Sequence, residues 1–161
     1  MPFLYISKNF NLEFMKKTAL LLLIMVVILS CDKKQVYRNF ENEIEAQRWS
    51  ESDLKTHTFE ISEDDRNYNV YLEISHVLGS EMNVFPVSFE VTKPDGSMEK
   101  GEVVVDFKNS DCMGDVCDVK FLLKEKLQLK KGKYTVKFSP KSKFGFVPNI
   151  IGVGLSVEIK E

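Results

Sequence analysis

Three cysteines carry most of the chemistry that this sequence offers, and the first of them, Cys31, follows an apolar run. That run, residues 18–29, contains no polar side chain after Thr18, and Lys16 and Lys17 stand directly before it. A helix that crosses a bilayer needs about 20 apolar residues, so the run is too short for a stable span. A basic segment followed by a short apolar segment is typical of a signal peptide. We therefore predict a signal peptide over residues 15–30.

The four residues Ile28-Leu29-Ser30-Cys31 have the form of a lipobox. In that motif the thiol is alkylated by diacylglycerol, the chain is cut before the cysteine, and the new amine receives a fatty acid such as palmitate. A thioether requires a sulfur nucleophile, which explains why a cysteine is needed. The alternative is a buried free cysteine, but the apolar run fits no soluble core element here. We expect cleavage between Ser30 and Cys31, lipidation of Cys31, and no other cofactor.

Residues 1–14 precede the basic segment and do not resemble the start of a signal peptide, since they include Pro2 and Glu13. We expect translation to begin at Met15 and treat this extension as spurious. The remaining chain, residues 31–161, has four more acidic than basic side chains. A mildly acidic surface gives no sign of the clustered basic face typical of nucleic-acid binding, and we expect no nucleic-acid partner. The lipid must then supply the membrane attachment, and two or more acyl chains anchor a protein stably.

Cys112 and Cys117 are the two cysteines left for other chemistry. Export places them in an oxidising compartment, where paired thiols form disulfides, so we predict a bridge that fixes a loop tip. A redox site is the less favoured alternative, because the C-x-x-C spacing is absent. A zinc site is less favoured again, because only His57 and His76 could assist and neither is adjacent.

No catalytic constellation is visible, and we expect no enzyme. A lone histidine needs a partner within hydrogen-bond reach for acid–base catalysis, and the sequence supplies none. An acidic cluster around the cysteines could bind calcium through its oxygens, but its spacing does not match a known calcium loop, and a solvated loop is the favoured alternative; it consists of Asp106, Asp111, Asp115 and Asp118. No metal site is therefore predicted.

Residues 56–161 read as short strands that position these side chains. Apolar and polar residues alternate with a period of two in segments near 58–62, 68–75, 85–91, 103–107, 119–123, 134–138 and 151–159. Such alternation marks half-buried strands, and the Pro94-Asp95-Gly96 sequence marks a tight turn. We predict an all-β fold, a single antiparallel β-sandwich of immunoglobulin-like or jelly-roll type. Pro86 predicts an edge strand, or one that begins there.

Three smaller features complete the prediction. Residues 31–55 are expected to form a lipidated tether that lies against the domain, with Trp49 closing one end of the core and not serving as a ligand platform. The aromatic loop with Phe144 and Phe146 is either an exposed binding tip or, as we favour, a cap folded onto the core. Gly152 and Gly154 indicate that a neighbouring chain approaches the last strand closely.

Several segments together resemble the GldH family of gliding-motility-associated lipoproteins from Bacteroidetes. They are the mature start CDKKQVYRNF, Trp49 before the Phe59-x-Ile61 strand, the Pro94-Asp95-Gly96 turn, KGKYTV at 131–136 and NIIGVGL at 149–155. The resemblance implies a lipoprotein that supports the envelope machinery for gliding and its linked secretion system. It brings no catalytic residues, and the Cys112/Cys117 loop is not a feature of the family pattern.

The favoured function is therefore a non-enzymatic accessory subunit, whose partners are the membrane and other envelope proteins of that machinery. The alternative is a carbohydrate- or peptide-binding sandwich that uses the Phe144–Phe146 loop. Surface export in Bacteroidetes favours acidic runs after the cysteine, and Lys33-Lys34 interrupt any such run. We thus expect the domain on the outer membrane, facing the periplasm.

Overall fold

The structure, a computed structural model, describes residues 34–64 and 66–160. Its strands are β1 (Gln35–Glu41), β2 (Arg48–Ser50), β3 (Lys55–Ile61), β4 (Arg66–Val77), β5 (Val84–Thr92), β6 (Met98–Asp106), β7 (Asp111–Met113), β8 (Val116–Leu129), β9 (Gly132–Pro140), β10 (Phe146–Pro148) and β11 (Ile150–Lys160). Two short 3₁₀ turns, η1 (Glu45–Gln47) and η2 (Phe107–Asn109), join them. The predicted all-β class is confirmed.

Two main antiparallel sheets form the sandwich. The larger has the strand order β1-β11-β4-β8-β7 and the smaller the order β3-β9-β5-β6, while β2 and β10 pair separately. Alternation along β3 shows why these residues form strands: His57, Phe59 and Ile61 are buried, and Thr58 and Glu60 between them are exposed. The inward rows of both sheets make one continuous apolar core. This arrangement confirms the predicted antiparallel β-sandwich.

The register of the strands defines two ends of the sandwich. At one, which we call the turn end, Gln35 pairs with Glu158 and the turn at Pro94 contacts Gly132. At the other, which we call the hairpin end, lie the β7–β8 hairpin, the β4–β5 connection and residues 141–149. The Val77 N–H donates to the Asn149 carbonyl there at 2.9 Å. The chain therefore enters β1 at the turn end.

The segment predicted as a tether is largely part of the sandwich. β1 pairs with β11 along most of its length, and β2 pairs with β10. Trp49 in β2 is fully buried, and its ring meets those of Phe85 and Phe138 edge-on. The described domain thus begins at β1 and not at residue 56. The pattern of β1 hid this, because polar side chains such as Arg38 and Asn39 occupy this edge strand.

Pro86 lies in an interior strand that begins at Val84, so both predicted positions, an edge strand and the start of a strand, were wrong. β5 pairs with both β6 and β9. The ladder with β9 ends at the pair Val87–Pro140, and just beyond it the Lys141 N–H donates to the Pro86 carbonyl at 2.8 Å. Pro86 has no N–H, so it cannot donate a hydrogen bond back to the chain that follows β9. Because that missing bond falls at the end of a ladder, the strand tolerates it.

Candidate functional site

The aromatic loop is part exposed tip and part cap on the core, the two alternatives that the sequence predicted. Phe144 is 62% exposed, with Lys143 Nζ 4.9 Å from its ring centre. Phe146 is half-buried, and the Arg48 guanidinium lies 5.1 Å from its ring centre. Val147, between Phe146 and Pro148, is fully buried and pairs with Trp49. The loop therefore caps the core through Val147 and presents Phe144 to solvent.

An unusual backbone surrounds this loop. Ala46, Gln47 and Asn149 have positive φ angles of 51°, 54° and 63°. Residues other than glycine rarely adopt this region, although asparagine tolerates it better than most. All three residues line one depression of about 570 Å³ together with Phe144 and Phe146. Strained backbone of this kind costs on the order of 1–3 kcal/mol per residue and clusters at functional sites.

The hairpin end also exposes aliphatic side chains. Leu78 is 56% exposed and Met113 is 89% exposed. Val116 is exposed too, and the Leu78 N–H donates to the Asp115 carbonyl at 2.9 Å, which ties the β4–β5 connection to the hairpin. We call Leu78, Met113, Val116 and Phe144 the apolar rim. Exposed apolar residues gathered at one end are typical of a protein contact surface.

The hairpin holds the two cysteines at its tip. Cys112 and Cys117 are directly opposite in the β7–β8 ladder, and their sulfur atoms are bonded at 2.03 Å. The predicted loop around the bridge is therefore partly a strand, β7. Sequence reasoning missed β7 because its three residues are too short and too exposed to show alternation.

The acidic residues near the hairpin have separate roles. Asp106 accepts a hydrogen bond from the Lys108 N–H at 2.9 Å and so caps η2. Asp111 and Asp118 pair across the hairpin. Within residues 34–64 and 66–160, no three histidine, cysteine or acidic side chains come together as a metal site would require.

Each histidine stacks on a phenylalanine ring and lies within hydrogen-bond distance of a hydroxyl group. His57 stacks on Phe138 in the core, and its Nδ1 lies 3.2 Å from the Tyr37 hydroxyl. Burial lowers the pKa of His57, with Lys55 adding to the effect and Glu41 opposing it. His76 stacks on Phe107, and its Nε2 lies 2.8 Å from Ser110 Oγ.

Lys55 is a buried cation at the hairpin end of β3. Burial lowers its pKa, but the hydrogen bonds that its ammonium donates to Glu41 and Asp53, each at 3.0 Å, outweigh that effect and raise the pKa overall. The ammonium group therefore stays charged. Because Glu41 belongs to β1, this ion pair links the two sheets.

A concave groove on the outer face of the larger sheet has no counterpart in the sequence analysis. Its volume is about 780 Å³. We call it the sheet groove, and it is lined chiefly by Arg38, Phe40, Glu73, Ser75, Asp118 and Lys120. These residues come from three strands far apart in the sequence, so no local pattern could predict the groove. Among sequence features, only Gly152 and Gly154 of β11 pointed to this region of the sheet.

The comparison that decides the family covers most of the described domain. The model of the family described as GldH lipoprotein matches residues 35–157. The chain belongs to the GldH lipoprotein family. This confirms the family resemblance of the sequence and supports an envelope lipoprotein. Ser30 and Cys31, the expected cleavage and lipidation sites, lie outside the residues that the structure describes.

Solved structures similar to this GldH-family chain are distant. A non-crystalline cellulose specific carbohydrate-binding module, CBM28, is 8% identical with a TM-score of 0.43, covering 77% of this chain and 73% of that one. An exo-beta-1,3-galactanase from Phanerochaete chrysosporium is 12% identical with a TM-score of 0.35, over 74% of this chain and 29% of that one. No curated protein matches significantly. In the part of the chain that is described, no helix has the length and apolar character to span a bilayer.

Proposed function

We propose that this protein is a membrane-anchored, non-enzymatic accessory subunit of the envelope machinery for gliding motility and its linked secretion. The lipid on Cys31 holds it at the outer membrane on the periplasmic side, and it acts through contacts with other envelope proteins. Membership of the GldH lipoprotein family supports the setting. The observation that carries the mode of action is the apolar rim at the hairpin end.

The geometry of the chain supports a contact role for that end. Cys31 precedes Gln35 by four residues, which span no more than about 14 Å when fully extended. Gln35 lies at the turn end, where it pairs with Glu158. A lipid on Cys31 would therefore tether the turn end, and the apolar rim on the hairpin end would point away from the bilayer. A partner in the periplasm can reach that rim.

A site-specific photo-crosslinker tests the contact in the native host. Placed at Phe144, it should yield a crosslink to a component of the gliding or secretion machinery. Placed at Lys100, an exposed position in edge strand β6, it should yield none. The double substitution Leu78→Asp/Phe144→Asp should reduce spreading on agar and secretion, because both charges would fall in the contact, while protein level and membrane fractionation stay unchanged.

Two results would contradict this proposal. One is normal spreading and normal secretion after deletion of the gene. The other is equal crosslinking from Phe144 and Lys100, which would show that the apolar rim is no preferred contact.

A further inference from the structure

The sheet groove runs across the strands of the larger sheet, not along them. One row of residues is in register across four strands: Phe40 in β1, Gly154 in β11, Glu73 in β4 and Lys120 in β8. A second row contains Gly152, Ser75, Asp118 and Asp111. Adjacent strands lie about 4.8 Å apart, so a path over five strands is about 19 Å long. An extended ligand of several units fits such a path.

Two glycines of β11 leave room for the Phe40 ring at the edge of the groove. Added Cβ atoms would lie 2.6 Å from the Phe40 ring at Gly152 and 2.5 Å from the Asn39 carbonyl oxygen at Gly154. Without side chains there, β1 approaches β11 closely and the Phe40 ring lies over both glycines. The ring is only half-buried. The groove therefore has an aromatic surface at its β1 side.

The floor is polar and held in place. Glu73 and Ser75 point outward, yet they are only 8% and 6% exposed, because neighbouring side chains rise around them. Arg38 Nε donates to Glu73 Oε2 at 2.8 Å. Burying a charge is costly unless it is paired, and this pair fixes a donor and an acceptor side by side. On the far wall, Lys120 is held by an ion pair with Glu158 and lies 4.4 Å from the Tyr71 ring centre.

We propose that the sheet groove binds a neutral glycan. Each sugar hydroxyl can donate one hydrogen bond and accept others. The groove offers both kinds of partner, because Arg38 and Lys120 are donors and Glu73 and Asp118 are acceptors. The apolar C–H face of a pyranose ring suits the Phe40 ring. This inference goes beyond the proposed function, because the groove lies on the sheet face and the apolar rim lies at the hairpin end.

Other ligand classes fit the groove less well. The carboxylates of Glu73, Asp111 and Asp118 repel a phosphate-rich ligand such as nucleic acid. An extended peptide pairs with the free edge of a sheet, whereas this groove crosses strands whose backbone groups are already paired within the sheet. Its polar floor also lacks the apolar pockets that anchor peptide side chains.

The full lipoprotein, extracted in mild detergent, tests this on an array of neutral oligomers of glucose, mannose, galactose, xylose and N-acetylglucosamine. Isothermal titration then measures affinity for the strongest array ligand. Arg38→Ala and Lys120→Ala should each weaken binding at least tenfold. The Arg38 and Lys120 side chains are 56% and 42% exposed. Circular dichroism and urea denaturation check that each variant stays folded, because Arg38→Ala leaves the buried Glu73 carboxylate without its partner. Phe40→Ala should also weaken binding, with Phe40→Leu losing less.

The matched control is Phe144→Ala, which removes an aromatic ring from the apolar rim and should leave glycan affinity unchanged. This control separates the two proposals, since Phe144 belongs only to the protein contact. Absence of binding to every oligomer on the array would overturn the glycan site. Binding that survives Arg38→Ala combined with Lys120→Ala would also overturn it, by placing the sugar elsewhere.

Discussion

His57 is a titratable side chain enclosed by the core, with 1% of it exposed. Its Nε2 has no hydrogen-bond partner among the described residues. Burial disfavours the imidazolium form, so the pKa of His57 in the folded protein lies below the ordinary value of 6.5. In the unfolded chain the imidazole takes up a proton near that ordinary value. Between the two pKa values the unfolded state therefore binds more protons, and stability increases with pH.

We expect the free energy of unfolding to fall as the pH is lowered from 6.5 to 5.5, by up to about 1 kcal/mol from this one group. The stabilisation is fully present above 6.5. His57→Gln removes the titration and should flatten this part of the profile. Urea denaturation of both proteins at each pH measures the difference. Parallel profiles for the two proteins would show that His57 does not titrate differently on folding.

Some single residues were predictable and others were not. The place of Trp49 in the core followed from its size and apolar surface, and the structure buries it completely. Gly152 and Gly154 indicated a close chain approach, which β1 makes. The burial of Glu73 was not predictable, because alternation along β4 assigns it to the wet face. Its enclosure depends on Arg38 and Lys120, which only the sheet register brings beside it.

At the scale of the strand, β11 is the element that organises the larger sheet. It pairs with β1 on one side and β4 on the other. The alternation of Val153, Leu155 and Val157 was visible in the sequence, and all three are buried. Long strands with one apolar row were predicted for this reason. The short strands β2, β7 and β10 were missed because three residues cannot show a period.

Gly154→Ala should weaken the attachment of β1. The new Cβ would lie 2.5 Å from the Asn39 carbonyl oxygen, and a backbone atom in a ladder cannot move away freely. Overpacking of this kind costs about 1–3 kcal/mol. Hydrogen exchange should show lost protection over residues 36–41, and urea denaturation should give the stability loss.

Ser156→Ala is the matched control for this change. Ser156 follows on the same face of the same strand and is fully buried, and its hydroxyl has no partner in the described part of the chain. Removing an unsatisfied buried group is neutral or stabilising. Equal stability losses from the two substitutions would contradict a specific role for the glycine in the β1–β11 approach.

The β7–β8 hairpin is the element that depends on the Cys112–Cys117 bond. Closing so short a loop stabilises a fold by about 2 kcal/mol in the chain-entropy estimate. Reduction should lower the urea midpoint and increase hydrogen exchange over residues 111–118, with little change elsewhere. The double variant Cys112→Ser/Cys117→Ala should not respond to reductant. An oxidised protein whose midpoint is unaffected by reduction would contradict the prediction.

At the scale of the whole molecule, the two sites occupy different surfaces. The apolar rim is at the hairpin end, and the sheet groove opens on the outer face of the larger sheet. The chain enters at the turn end through Gln35. A lipid at Cys31 would therefore leave the apolar rim free of the bilayer, whereas the sheet groove, whose lining includes Gln35, begins at the tethered end. This separation would allow the proposed protein contact and the proposed glycan contact to be made at the same time.

Energy transfer to the membrane reports the orientation of the sandwich. A fluorophore on a non-natural residue at Lys131, in the turn end, should transfer energy efficiently to acceptor-labelled lipids in vesicles carrying the lipoprotein. The same fluorophore at Met113, in the hairpin end, should transfer much less. The 11 residues of β11 run between the ends, which at about 3.4 Å per residue separates them by about 35 Å.

Control protein with Cys31→Ser, which cannot be lipidated, should show no transfer from either position because it stays off the vesicles. Equal transfer from Lys131 and Met113 in the lipidated protein would mean that the sandwich lies on its side. In that arrangement one sheet face would meet the bilayer, and the apolar rim would no longer be the surface farthest from the membrane. The proposed contact at Phe144 therefore depends on the outcome of this measurement.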